Sequence, residues 1–312
     1  MNVLPYVVKA SSPQQSLYDW LNDNKKDIED LLIEYGGILF RGYDTSTVEQ
    51  FEKVTTVISP ELELYRERST PRTEVRGRIY TSTEYPAEMH IPLHNENSYQ
   101  HAWPMKIWFY AYKCADEGGE TPIADSRKVY QMLDKQIVEK FAEKGVMYVR
   151  NLGEQIDLPW QTVFQTDNKE EVEEYCRKTG TEFEWLPDNR LRTRSVRGAV
   201  AKHPKSGEMV WFNQAHLFHY TSLPEEIADY LIHAVGEENL SRNAYYGDGT
   251  PIEKSVLDEI RAVFDEVKVV FPWEKNDVML LDNMLVAHGR TPFKGERKIL
   301  VAMAEVFDQY GV

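Results

Sequence analysis

The chain has 312 residues, 42% of them hydrophobic and 28% charged, which suits a globular protein with a large core. Its formal net charge is −15, from 51 acidic against 36 basic side chains, which excludes a general role on nucleic acid or anionic lipid. Its two cysteines, Cys114 and Cys176, exclude a disulfide framework or a cysteine metal site.

The N-terminus, MNVLPYVVKASSPQQ, lacks the basic-then-apolar order of a signal peptide, and no apolar run is long enough to span a bilayer. A cytoplasmic protein is expected. From about residue 13 to 35, Leu17, Trp20, Leu21, Ile28, Leu31 and Leu32 recur at helical spacing, and Gly36-Gly37 ends the run. GILFRG (37–42) reads as a buried strand, and a second helix follows near 46–57. From about residue 78 the pattern changes to short strands rich in β-branched and aromatic residues: RIYTSTEY, KIWFYAYKCA, VMYVRN, SVRGAVAKH, EMVWFN, VKVVF, DVMLLDN and KILVAMAEVF. Helical stretches intervene at about 127–144, 169–178, 224–238 and 253–265. This order predicts a mainly β protein with helical additions, built on a sandwich or jelly-roll core. One domain is expected over 1–312, with N-terminal helices at about 13–57 and a mixed insert at about 150–265.

The chemistry gathers around IPLHNENSYQ. Side chains of a strand alternate between faces, so His94 and Glu96 are expected to point the same way and to share one metal ion. A third ligand must come from elsewhere, and His288 in DNMLVAHGRTPF is the best candidate. Two histidines and one carboxylate leave one side of the ion open, the arrangement of iron(II) oxygenases. Of the eight histidines, His216 and His219 form the next best pair, but no nearby carboxylate completes them; they read as pocket-lining or core residues.

HNENSY, then GGETPIADSR, then DNMLVAHGRTPFKGER resemble the taurine dioxygenase-like family of Fe(II)/2-oxoglutarate-dependent dioxygenases. Within it the sequence is similar to the clavaminate synthase-like branch, which carries Glu in the triad, and to its SyrP-like hydroxylases of nonribosomal peptide pathways. The resemblance runs from GILFRGY to VAMAEVF. It implies a double-stranded β-helix core, iron held by His94, Glu96 and His288, and 2-oxoglutarate and O2 as co-substrates. It also implies that Thr121 and an arginine after His288 take the distal carboxylate of 2-oxoglutarate. Arg297 fits best, because a guanidinium meets a carboxylate with two parallel hydrogen bonds; Arg290 and Lys298 are the neighbouring alternatives. Family halogenases lack the carboxylate ligand, so Glu96 points to hydroxylation, with desaturation, epoxidation or cyclisation on the same cofactors as alternatives.

An amino acid or an aminoacyl group tethered to a peptidyl carrier protein is the expected substrate. Asn95, Asn97 and Asn213 stand where they could reach it. Arg192 and Arg194, with Arg190, share a face of an extended segment; they could bind a substrate carboxylate or a carrier phosphate, or be solvated arginines on a very acidic chain. Two other classes remain open at this level. His2Glu also suits a zinc hydrolase, and a jelly roll can serve as a non-catalytic binding scaffold.

Overall fold

The computed structural model describes residues 3–63, 72–82, 85–154 and 156–308. The expected strand RIYTSTEY is present as Ile79–Thr81; positions 83 and 84 within it lie outside the described residues. The core is a double-stranded β-helix, with helices packed on it and inserted between its strands. Among the described residues no helix is long and apolar enough to cross a membrane.

Seven strands form the large sheet. Its centre is the long antiparallel pair Ala102–Lys113 and Lys298–Asp308, flanked by Val278–Asp282 and then Gly37–Arg41. These strands are nearly continuous apolar runs, because both faces of the sheet are covered. Leu39, Ile107, Phe109, Met279, Leu281, Val301 and Met303 pack in one cluster with Ile123, Leu285 and Val286. The alternate residues Ile38, Phe40, Trp108, Tyr110, Val278, Leu280 and Leu300 pack under the N-terminal helices Leu17–Tyr35 and Val48–Ile58. The first helix starts on the Ser16 cap and stops where Gly36 takes φ 78°, a left-handed conformation that glycine adopts without cost. The second opens with a capping box between Thr47 and Gln50.

The smaller sheet carries the chemistry. Val286–Arg290 lies between Ile91–His94 and Ile123–Asp125, antiparallel to both. A further sheet in the insert pairs Val146–Leu152 with Arg190–Arg197 and Arg242–Tyr246.

Several boundaries differ from the sequence reading. The helix expected over 127–144 is two helices, Ser126–Met132 and Lys135–Lys144, because Asp134 leaves the helical conformation to cap the second one. VKVVF is not a strand: the helix Lys254–Val267 consumes its first residue, and Val269 makes only an isolated bridge to Ile123. SVRGAVAKH is split between Arg190–Arg197 and Val200–Lys202. Two strands were not anticipated from the sequence: Thr181–Leu186, although Glu182, Phe183, Glu184 and Trp185 alternate, and Arg242–Tyr246, which lacks a clear apolar alternation.

Gly289 lets the site strands close on each other. A Cβ there would lie 2.6 Å from the backbone oxygen of Ile91, which cannot move without displacing its strand. Gly289→Ala is therefore expected to destabilise the fold by about 1–3 kcal/mol. It should weaken Mn(II) binding as well, measured by calorimetry, because the displaced strand carries His94. Unchanged metal affinity would show that the two strands tolerate separation.

Candidate metal centre

His94 and His288 are direct cross-strand partners in the antiparallel pair, which brings their ring centroids to 4.6 Å. The strand ends at His94, and Asn95–Asn97 already belong to the following turn. Glu96 thus reaches the imidazoles by a turn rather than by strand alternation. Asn283 fixes that turn: its Oδ1 accepts from the Glu96 backbone N–H at 2.7 Å, and its Nδ2 donates to the Glu96 carbonyl at 2.8 Å and to the Pro104 carbonyl at 2.9 Å.

The Glu96 Oε2 atom lies 4.0 Å from His94 Nε2 and 3.6 Å from His288 Nε2. Two ligands about 2.0–2.2 Å from one ion can be at most about 4.4 Å apart, so both spacings suit a shared ion. Among the described residues these three form the one group of three or more ligating side chains that could hold a metal. His94 Nδ1 lies 2.8 Å from the Pro92 carbonyl, which needs a proton on Nδ1 and leaves the Nε2 lone pair for the metal. Burial, with help from the neighbouring His288, pulls His94 down to about 4, so its ring is neutral at physiological pH. Burial alone would raise the Glu96 carboxyl, but the Arg72 guanidinium and the two imidazoles outweigh it and hold the group ionised. A neutral His94 imidazole and an ionised Glu96 carboxylate are protonation states a metal requires, so the residues fit iron.

A cavity beside these ligands is lined by Arg72, Phe109, Thr121, Arg290 and Arg297. Arg297 donates from Nε to the Gly119 carbonyl at 2.8 Å, from Nη1 to Ser82 Oγ at 3.1 Å, and from Nη2 toward Thr121 Oγ1 at 3.5 Å. Burial, then the nearby Arg290, lowers it to about 10, and it remains a cation. Arg290 is directed instead to the carbonyls of Tyr85, Pro86 and Met89, and Lys298 sits over the Tyr112 ring. Arg297 is the one of the three that meets Thr121.

The remaining sequence candidates have structural surroundings. Asn95 is fully buried and donates to the Asn283 carbonyl at 2.6 Å and to Ser126 Oγ at 3.0 Å. Asn213 bonds the Ala199 carbonyl and the Ala215 N–H. Asn97 takes a left-handed φ of 58°, and its buried Oδ1 meets no donor among the described residues. Arg192 is buried, bonded to Asn151 and Asn239 and paired with Glu184; Arg194 approaches the same Glu184 at 3.7 Å. His216 is a core histidine on the Leu93 carbonyl, against Phe264.

Sequence reasoning assigned no role to Asn283, Arg72 or Trp273. Asn283 had a signal, since it opens the run that ends in His288. Arg72 had none: it comes from a distant segment and meets Glu96 Oε2 at 2.9 Å only through the fold.

Two histidines and one carboxylate that converge beside the cavity of a jelly roll are the ligand set of a mononuclear non-haem iron oxygenase. The chain belongs to the taurine catabolism dioxygenase TauD, TfdA family, whose profile matches residues 4–303, and is an iron- and 2-oxoglutarate-dependent dioxygenase. It is 43% identical over 299 residues to the dapdiamide synthesis protein DdaC of Enterobacter agglomerans, covering 96% of this chain and 90% of that protein. It is 31% identical over 296 residues to a clavaminate synthase-like protein of Arabidopsis thaliana, covering 91% and 86%. In fold it is similar to PvcB, an Fe, alpha-ketoglutarate dependent oxygenase from an isonitrile synthetic pathway. That match has a TM-score of 0.55 at 13% identity and covers 95% of this chain and 84% of PvcB. It also resembles AAD-2, solved with Mn(II) and N-oxalylglycine, with a TM-score of 0.54 at 14% identity over 97% of this chain and 95% of AAD-2.

Replacing Asn283 by Leu removes both bonds to the Glu96 backbone and leaves buried groups unsatisfied. A stability loss of about 2–4 kcal/mol is expected, together with weaker Mn(II) binding; a variant that binds Mn(II) as tightly as the parent would show that the turn holds itself. The metal-free protein should also lose stability in acid. Burial lowers His216 to about 4, whereas an unfolded histidine takes its proton near 6.5. Below that value the unfolded chain binds more protons, so stability is lost as pH falls from about 6.5 to about 4, by up to about 3 kcal/mol from this residue. Urea midpoints that stay level across this window would contradict it.

Proposed function

We propose that this dioxygenase hydroxylates an unactivated carbon of an amino acid or aminoacyl group in secondary metabolism. Thr121 and Arg297 receive the distal carboxylate of 2-oxoglutarate. The observation that carries the reading is the shared cavity: Thr121 and Arg297 line the same space as His94 and His288. The 43% identity to a dapdiamide synthesis protein supports a natural-product setting.

Bound iron supplies the redox chemistry that couples 2-oxoglutarate and O2 to succinate, CO2 and oxidised substrate. The chain's own residues supply position. The cross-strand histidines and the clamped Glu96 would hold the ion, and three protein ligands would leave further positions for co-substrates. Arg297, braced by Gly119 and Ser82, offers a fixed cation for the far end of the dicarboxylate. Phe109, Ile91 and Val301 keep part of the cavity wall apolar. The hydroxyl donor and guanidinium favour an oxygenase over a His2Glu zinc hydrolase, which has no use for a dicarboxylate cradle. The arginine segment lends no support to a carrier-docking patch, since Arg192 is buried and engaged within the insert. A free small acid is therefore the first class to try.

The test incubates the protein with Fe(II), ascorbate, 2-oxoglutarate and amino acids, and follows succinate together with a gain of one oxygen by mass. His94→Ala and Glu96→Ala should abolish both. Arg297→Met should raise the KM for 2-oxoglutarate by about 10- to 100-fold, the cost of losing a charged hydrogen-bond partner. Zinc-dependent hydrolysis without succinate would end the oxygenase reading. Loss of two hydrogens, or oxygen added across a double bond, would replace hydroxylation by desaturation or epoxidation.

A further inference from the structure

A threonine hydroxyl has two acceptor lone pairs and one donor hydrogen. At Thr121 the lone pairs face two groups that can only donate. The Trp273 indole Nε1 donates to Oγ1 at 3.1 Å, and Arg297 Nη2 approaches the same atom at 3.5 Å. Thr121 is 2% exposed, and among the described residues its hydroxyl hydrogen meets no acceptor. That hydrogen is the one function left, and Thr121 lines the metal cavity.

We propose that Trp273 sets the direction of the Thr121 hydroxyl and so makes the far end of the co-substrate site a purely donating cradle, selective for an ionised carboxylate over a carboxamide. The inference rests on the reading that Thr121 and Arg297 receive the distal carboxylate of 2-oxoglutarate. If the indole N–H were absent, the hydroxyl could rotate and accept as easily as donate. With it in place, Thr121 offers O–H and Arg297 offers N–H. A carboxylate, which only accepts, satisfies both. A carboxamide turns an NH2 group toward donors and leaves a buried donor unpaired.

The indole is held for this task by the loop that carries it. Arg41 donates to the Pro272 carbonyl at 2.8 Å and pairs with the buried Asp277, which in turn accepts from the Glu274 N–H at 2.9 Å. Trp273 is therefore bracketed on both sides, and it packs edge-on against Phe271. It is 9% exposed and touches no metal ligand in the contacts described, so it is a positioning residue.

The experiment measures binding of N-oxalylglycine and of its distal carboxamide to the Mn(II)-loaded protein by calorimetry. The parent should prefer the acid. Trp273→Phe keeps the aromatic bulk and removes the donor; affinity for the acid should fall about fivefold, the size of one hydrogen bond, while affinity for the amide holds or rises. Thr121→Val should weaken the acid at least as much, and Trp273→Phe added to it should cost nothing further. Mn(II) affinity should be the same in all three variants. Should Trp273→Phe fold poorly, a benzothienyl-alanine at 273 keeps the ring shape, deletes only the N–H, and should narrow the acid-to-amide preference in the same way. A purely structural Trp273 would give an additive loss in the Thr121→Val background, or no change in the acid-to-amide ratio; either result overturns the inference. If Thr121→Val and Arg297→Met both leave the acid affinity unchanged, the co-substrate reading itself falls, and this inference with it.

Discussion

The cross-strand pairing of His94 with His288 is the constraint on which the rest of the site depends. Two residues far apart in the chain become neighbours because their strands lie antiparallel in one register. A slip of one residue would send one imidazole to the opposite face. Register here is held from several directions. The strand of His288 is paired on its other edge with Ile123–Asp125, and the Gly289 N–H donates to the Pro122 carbonyl at 2.9 Å. The missing side chain at Gly289 lets Ile91 approach. The same central strand thus joins the metal ligands on one edge to the Thr121 segment on the other.

Glu96 is placed by different means. A turn has no ladder to fix it, so side chains take over. Asn283 binds the Glu96 backbone through both ends of its amide, and Asn95 returns a hydrogen bond to the Asn283 carbonyl. Gln214 donates to the Asn95 carbonyl at 2.7 Å. A satisfied buried polar network of this kind specifies one geometry, because any rearrangement leaves an amide unpaired in a low-dielectric interior. Asn95 and Asn283 are therefore part of the frame that aims the carboxylate.

The legible parts of the sequence were those with a local cause. The first helix could be read from its apolar spacing and its glycine stop, and the central strands from apolar runs long enough to be covered on both faces. His94, Glu96 and His288 could be read because few histidines compete and their motifs carry a chemical pattern. The split at Asp134 was obscured because apolar spacing continues across it, so periodicity did not reveal the cap. VKVVF has strand composition but sits at a helix end, where tertiary placement outweighs propensity. Arg192 and Arg194 alternate as a surface patch would, yet Asn151 and Asn239 draw Arg192 inward, while Arg194 stays partly exposed near Glu184. Arg72 and Trp273 were illegible because their meaning lies wholly in partners more than twenty residues away.

The charges of the cavity explain how the site remains organised in a strongly acidic protein. A buried carboxylate without a partner would be costly enough to take up a proton. Arg72 removes that cost by pairing with Glu96 at the oxygen that faces both imidazoles. Glu96 is then ionised and oriented before a metal arrives, so binding need not displace a proton from the carboxylate. Arg72 thereby also fixes the orientation of the carboxylate toward the imidazoles. Arg297 and Arg290, by contrast, face backbone carbonyls and hydroxyls and no carboxylate within ion-pair distance among the described residues. Among the described residues these two guanidiniums make the cavity cationic where the surface is acidic, and on the proposed reading a dianionic co-substrate would supply their counter-charge.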